Sequence, residues 1–281
     1  MAGARDDTAP SSPRRRSGNL AQRLVSAAVM IPVALAAIFL GGAVFALLLA
    51  LLLAAGALEY HRLTGEGRAR SVAELGAAGV IVVILAFAAG GWPALLAVLT
   101  VALGAVAIAT RGATGATLLA GGGIVYLAAP GIALVGLRAT DEGLTLVLAV
   151  VLAVWATDTG AYMAGRSLGG PKLWPRLSPS KTWSGLAGGI LAAAAVLALV
   201  AGIQGGAAIA LAVVVGAFSA LVAQAGDLFE SWLKRRVGAK DSGTLIPGHG
   251  GVLDRIDGLI AAAPAFALVH LGLAGSGMWW P

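Results

Sequence analysis

Acidic residues with the spacing of a metal site lie in one short stretch of the chain, between residues 227 and 257. Asp254 and Asp257 are three positions apart at the predicted start of an apolar helix, so their carboxylates share one helix face. Asp227 ends the preceding apolar helix, and the loop between them brings the two helix ends together. Carboxylate oxygens suit a hard cation, so these three side chains predict a Mg²⁺ site.

The basic residues of the same stretch are suited to an anionic phosphate substrate. Lysine and arginine make charge-assisted hydrogen bonds to phosphate, and glycine lets backbone N–H groups approach its oxygens. His249 is a candidate phosphate donor or proton-transfer group. The residues predicted to bind substrate here are Lys234, Arg235, Lys240, Asp241, His249, Gly250, Gly251 and Arg255. Lys240 is also counted as catalytic with the three carboxylates, and Asp241 is expected to orient Lys240 or Arg235.

A second group of candidates lies upstream. Ser180, Lys181 and Thr182 stand at the predicted start of a helix, whose free N–H groups and dipole favour phosphate. For Ser180 and Thr182, plain helix capping is an equally good interpretation. Asp158 falls inside an apolar segment, where its charge is either functional or paired with Arg166 near the membrane surface.

The composition indicates an all-α, polytopic integral membrane protein. Of 281 residues, 59% are hydrophobic and only 11% are charged, whereas soluble domains are about 25% charged. Lipid offers no partner to backbone groups, so the spans must be helical. The absence of cysteine excludes disulfides, thiol catalysis and cysteine-bound metals. The net charge of +6 lacks interleaved aromatic residues, so no nucleic-acid partner is expected.

About nine transmembrane helices are predicted from runs of roughly 20 apolar residues. Their limits are 24–41, 42–58, 75–91, 93–110, 116–137, 143–164, 183–203, 206–226 and 258–275. With this count, all of the 19 Lys and Arg residues except Arg138 lie on the side of the N-terminus. The positive-inside rule then places the N-terminus and the loop 227–257 in the cytoplasm. The spacing of Gly185 and Gly189 predicts close helix packing.

Three regions follow from this pattern. Residues 1–22 are predicted to be a disordered basic cytoplasmic tail, and residues 23–137 to be an N-terminal membrane half. Residues 138–281 are predicted to be the catalytic half, which contains the cytoplasmic loop 227–257.

The stretch from Ser231 to Asp257 resembles the signature of phosphatidate cytidylyltransferases, also called CDP-diacylglycerol synthases. That signature reads Ser-x-hydrophobic-Lys-Arg, four residues, Lys-Asp-x-small, then hydrophobic-Pro-x-His-Gly-Gly and hydrophobic-x-Asp-Arg-hydrophobic-Asp. The matching groups are Lys234-Arg235, Lys240-Asp241, His249-Gly250-Gly251 and Asp254-Arg255 with Asp257. Residues 158–166 and 178–183 also resemble the family, whereas the first five spans match only as a hydrophobic half.

The resemblance implies a reaction of CTP with phosphatidate that yields CDP-diacylglycerol and pyrophosphate. It also implies a requirement for Mg²⁺, a role in phospholipid synthesis and a homodimer in a bacterial plasma membrane, with the active site facing the cytoplasm. A monovalent cation beside Mg²⁺ is left open. Both reactants are anions and no hydroxyl needs deprotonation, so positioning and electrostatics are expected to supply most of the rate.

Two other functions remain as alternatives. A CTP-dependent lipid kinase would transfer the γ-phosphate to an alcohol and would need a base for the hydroxyl proton. A secondary transporter would need broken helices and polar groups at mid-membrane in both halves, and residues 75–137 contain no acidic residue. The transporter is therefore the weaker alternative.

Overall fold

Eight helices and one short β-hairpin make up the part of the chain that the computed structural model describes. That part comprises residues 13–64, 70–205, 209–248 and 250–273, with side chains from residue 22 onward. The elements are α1 (Pro13–Leu40), α2 (Gly42–Thr64), α3 (Arg70–Ala109), α4 (Thr114–Arg138), α5 (Gly143–Leu168), β1 (Lys172–Trp174), β2 (Ser178–Thr182), α6 (Trp183–Ile203), α7 (Ile209–Arg236) and α8 (Leu253–Leu273). All eight helices are long and apolar enough to cross a membrane. The predicted helical architecture, with several candidate membrane spans, is thus confirmed.

The third helix contains two of the nine predicted spans. It has 40 residues, about 60 Å at the usual helical rise, which is twice the thickness of a bilayer's hydrocarbon core. Its backbone leaves the helical conformation at Gly91, with φ 64° and ψ −152°, two residues before Pro93. The predicted break between residues 90 and 93 is therefore present, and α3 consists of two helical segments that meet at Gly91. The count of nine spans and the cytoplasmic N-terminus stay predictions.

Arg138, the one basic residue predicted on the external side, has a structural role at the junction between α1 and α2. The guanidinium of Arg138 donates to the carbonyl oxygens of Ile38, at 2.8 Å, and Phe39, at 3.1 Å. These carbonyls belong to the last turn of α1, where no intrahelical donor is left. Arg138 therefore caps α1 beside Gly41, whose φ of +64° ends the helix.

The two predicted membrane halves share one core. Helix α8 packs against α7 and also against α4, and the buried apolar residues of both halves form a continuous cluster. The predicted boundary near residue 137 coincides with the end of α4. Residues 1–12 of the predicted tail lie outside the described residues, and α1 begins at Pro13, before the predicted limit at residue 22.

The β-hairpin was not predicted. Strands β1 and β2 pair antiparallel, so Ser180 and Lys181 lie on a strand, and α6 begins only at Trp183. Pro179 disfavours a helix at this point, because proline lacks the N–H donor and restricts the residue before it. Thr182 is the N-cap of α6, and its Oγ1 accepts the N–H of Gly185 at 3.0 Å. Thr182 therefore has the capping role that was left open for it.

Helices α5 and α6 approach each other through glycines. A Cβ at Gly160 would lie 2.6 Å from the carbonyl oxygen of Gly188, and a Cβ at Gly188 would lie 2.7 Å from that of Gly160. Gly185 and Gly189 are equally close to the backbone of α5, with such Cβ atoms 2.9 Å from carbonyl oxygens. The predicted packing role of these two glycines is confirmed, and the contact fixes α5 beside the start of α6.

Gly188→Ala is expected to lower the melting temperature in detergent by about 2 °C or more, because overpacking a tight helix contact costs about 1–3 kcal/mol. Gly202→Ala is the matched control on the same helix, since a Cβ at Gly202 meets nothing within 4 Å. Thermal unfolding of both purified variants checks the contact. Equal melting temperatures for Gly188→Ala and Gly202→Ala would contradict it.

Candidate functional site

A cavity of about 300 Å³ lies where α5, the β-hairpin, α6 and α7 meet. Helix α5 contributes side chains from its last three turns, β2 from its end, and α7 from its second half. The charged and amide side chains among its lining residues are Asp158, Arg166, Lys181, Gln224 and Asp227. Ser180 and Thr182 also line the cavity, so the structure brings all three upstream candidates to one place.

An ion pair crosses this cavity from β2 to α7. Lys181 Nζ lies 2.6 Å from Asp227 Oδ2, and it donates to Gln224 Oε1 at 2.8 Å. The side chains of Lys181 and Asp227 are 15% and 29% exposed, so the pair is largely withdrawn from solvent. Gln224 is three residues before Asp227 and shares its helix face. Sequence reasoning missed Gln224, although a polar residue in an apolar span is itself a signal.

Two further carboxylates lie close to this ion pair. Asp158 and Asp257 are near enough to Asp227 to interact with its charge. Helices α7 and α8 touch beside them, because a Cβ at Gly226 would lie 2.7 Å from the carbonyl oxygen of Asp257. The expected approach of Asp227 and Asp257 is therefore present, and Asp158 joins them from α5.

Asp254 belongs to a different cluster. Its Oδ1 accepts from Lys234 Nζ at 2.7 Å, and its Oδ2 accepts the backbone N–H groups of Ser242 and Gly251 at 2.9 and 3.1 Å. Lys234 Nζ also lies 2.5 Å from Glu230 Oε2, and Glu230 is fully buried. Asp254 and Lys234 therefore hold the loop to α7, and neither lines the cavity.

The donor set determines whether Mg²⁺ fits here. Among the residues that the structure describes, no three His, Asp or Glu side chains are grouped as a ready-made metal site. Mg²⁺ usually binds through one or two carboxylates and completes its shell with water and substrate phosphate. Asp227 with Asp257 or Asp158 meets that requirement, so these residues fit the ion better than a set that includes Asp254.

The glycine N–H groups assigned to phosphate make internal hydrogen bonds instead. Gly250 donates to the carbonyl oxygen of Ile246 at 3.1 Å, and Gly251 donates to Asp254. Gly250 has a φ of +86°, which favours glycine in this turn. His249 lies outside the described residues.

The remaining candidates are exposed, at helix ends or in the loop between α7 and α8. Arg235 donates to the carbonyl oxygens of Ala239, at 3.0 Å, and Leu177, at 3.4 Å, so it connects α7 with the hairpin. Arg255 is exposed and near enough to Asp158 for their charges to interact. Lys240 and Asp241 are also exposed. Of these four residues, Arg255 is the one with a described interaction with an acidic residue of the cavity.

Two buried acids were not among the predicted site residues. Glu230 lies on α7 one turn before Lys234, and Glu59 lies on α2, in the half of the chain that matches the family only as a hydrophobic half. Both are fully buried. Burial is costly for a carboxylate without partners. An acidic residue at the end of an apolar span was therefore the sequence signal that could have identified Glu59 and Glu230.

Lys234→Met is expected to lower the melting temperature in detergent by about 6 °C or more, because it leaves the Glu230 and Asp254 carboxylates unpaired and buried. Arg70→Met is the control, since it removes an exposed pair with Glu74 whose side chains are 92% and 56% exposed. Exposed pairs contribute little. Similar small losses for both variants would show that Lys234 has no structural role.

Known proteins match this chain along most of its length. The model of the cytidylyltransferase family matches residues 21–272. A phosphatidate cytidylyltransferase of Pseudomonas aeruginosa is 40% identical over 269 residues, which cover 92% of this chain and 99% of the relative. Proteins of the same name from Brucella suis and Bacillus subtilis are 50% identical over 154 residues and 43% identical over 132. These two alignments span about half of each relative, 54% and 48%. The chain belongs to the cytidylyltransferase family.

Proposed function

We propose that the protein transfers the cytidylyl group of CTP to phosphatidate and releases pyrophosphate. The observation that carries this proposal is the 40% identity to the Pseudomonas aeruginosa phosphatidate cytidylyltransferase along 92% of the chain. The cavity beside Lys181 and Asp227 supports it, because it combines a cation for phosphate with carboxylates for a metal ion.

The main barrier to this reaction is charge repulsion. Both substrates carry negative phosphates, and two unit charges about 5 Å apart repel by roughly 3 kcal/mol at an effective dielectric constant of 20. Lys181 is a largely buried cation of the cavity and Arg255 lies near Asp158, so both are assigned to phosphate oxygens of CTP or the lipid. Gln224 holds the Lys181 ammonium group at 2.8 Å and limits its movement.

The reaction itself is one displacement at phosphorus. A phosphate oxygen of phosphatidate attacks the α-phosphorus of CTP and forms a new P–O bond. The bond from that phosphorus to the bridging oxygen breaks, and pyrophosphate leaves with the electron pair. The attacking oxygen is already an anion, so the step needs no general base, and positioning with electrostatic stabilisation suffices.

We assign Mg²⁺ to Asp227 and Asp257, with Asp158 as the third candidate in place of Asp254. When bound, this ion neutralises charge on phosphate oxygens and stabilises the leaving group. The assignment rests on the electrostatic proximity of these carboxylates and on the internal hydrogen bonds that already occupy Asp254.

The same proposal places the cavity on the cytoplasmic side of a bacterial plasma membrane. The basic residues on one side of the predicted spans support this orientation, since cytoplasmic loops carry an excess of lysine and arginine. A homodimer stays a prediction, which the mass of the protein in detergent would test.

Purified protein with phosphatidate, Mg²⁺ and CTP labelled at either the α- or the γ-phosphate tests the function. The α label is expected to enter lipid, and the γ label to leave as pyrophosphate. Lys181→Met is expected to lower the rate at least about 100-fold, as loss of a group that stabilises developing charge does in other enzymes. Lys172→Met is the matched control, because Lys172 is exposed on the same hairpin.

The other labelling results have distinct meanings. Entry of the γ label into lipid would identify a lipid kinase and contradict the proposal. Transfer of neither label, with the Pseudomonas aeruginosa relative active in a parallel reaction, would refute both transferase functions.

A further inference from the structure

A buried carboxylate of the N-terminal half contacts the loop that carries the family signature. Glu59 lies on α2 and is fully buried. Its Oε2 accepts the hydroxyl of Ser242 and the backbone N–H of Leu253, each at 2.9 Å. Within the described part of the chain, no Lys or Arg forms an ion pair with it. The two hydrogen-bond donors to Glu59 among the described residues lie more than 180 positions away along the chain.

These contacts cap the N-terminus of α8. Leu253 and Asp254 are the first two residues of that helix, so their N–H groups have no acceptor within it. Glu59 accepts the first N–H, and the hydroxyl of Ser242 accepts the second at 3.3 Å. A negative charge at this end is also favoured by the helix dipole. Glu59 and Ser242 together thus act as an N-cap supplied from outside the helix.

The glycines of the loop provide the space for this cap. A Cβ at Gly251 would overlap Ser242 Oγ and lie 2.7 Å from Glu59 Oε2, and a Cβ at Gly243 would overlap Glu59 Oε1. Both positions belong to the signature, where the glycine of the His-Gly-Gly group was expected to approach phosphate. In the structure these two positions have no room for a side chain, because the loop backbone lies directly against the Glu59 carboxylate.

We propose that Glu59 is a positioning residue for the cytidylyl transfer, an inference that rests on the proposed function. It fixes the first turn of α8 through Leu253 and Ser242. Arg255 lies in that turn, and Asp257 lies at the start of the next turn. These two residues interact electrostatically with the acids of the cavity. Glu59 acts through them and does not line the cavity itself.

Hydrogen–deuterium exchange of the detergent-solubilised protein tests the anchor without any substrate. Glu59→Leu is expected to raise exchange at least about tenfold in peptides covering residues 240–256, because the charge-assisted hydrogen bonds are lost. Peptides from α3 and α6 are expected to stay unchanged, which separates local release from unfolding. Glu74→Leu is the matched control, since Glu74 is an exposed acid on α3.

Transfer kinetics then test the effect on the reaction. Glu59→Leu is expected to lower kcat/KM for CTP at least about tenfold per molecule of folded protein. Glu59→Gln keeps an oxygen acceptor and is expected to stay within about threefold of the wild type, a rescue that a general packing role would not produce. If Glu59→Leu does not fold, Ser242→Ala removes one of the two hydrogen-bond donors to Glu59. The exchange and the transfer kinetics are then measured on Ser242→Ala.

Unchanged exchange in residues 240–256 would overturn the anchor. Raised exchange with unchanged kcat/KM would overturn the positioning role. A wild-type protein without transferase activity would refute the proposed function, while the exchange data would still decide on the anchor.

Discussion

Several charged side chains of this protein lie in or beside helices that are apolar enough to cross a membrane, and each such charge needs a partner to remain there. Lys181 and Asp227 form the pair that opens onto the cavity, at 2.6 Å. Lys234 lies between Glu230 and Asp254 in a second, more deeply buried cluster. The insertion of an unpaired charge is costly, so the positions of α5, α7, α8 and the hairpin are constrained by these contacts.

The signature residues therefore divide between two tasks. In one set, Lys181 and Asp227 line the cavity together with Asp158 and Gln224, and Asp257 is near enough to interact with the charges of Asp227 and Asp158. The other set holds the loop that precedes α8, where Asp254 forms hydrogen bonds with Lys234 and with the N–H of Gly251. A long motif in sequence need not be one continuous ligand-binding surface, because a short polar loop at a membrane boundary must first satisfy its own backbone.

The sequence was sufficient for features that depend on local pattern. Apolar runs predicted the helices, the turn signal at residues 90–93 predicted the break within α3, and the Gly185–Gly189 spacing predicted a close contact with a neighbouring helix. The approach of Asp227 to Asp257 followed from two helix ends joined by one loop. These inferences needed only the period of a helix and the length of a span.

Other features depend on contacts between distant residues, which a single sequence does not reveal. The side chain of Asp254 was expected beside Asp257, yet it turns to Lys234 and to the N–H groups of the loop. The hairpin before α6 depends on pairing between two short strands. Glu59 reaches Ser242 and Leu253 from the opposite half of the chain, so nothing near it in sequence predicted its role.

We propose that CTP binds in the cavity beside the Lys181–Asp227 ion pair. A crystal structure of the protein with CTP and Mn²⁺ in place of Mg²⁺ would test it most directly, because anomalous scattering locates manganese without ambiguity. The account predicts the triphosphate within hydrogen-bond distance of Lys181 Nζ and manganese on Asp227 with Asp257 or Asp158. A nucleotide bound at Lys240 and the glycines of the loop, with manganese on Asp254, would contradict it.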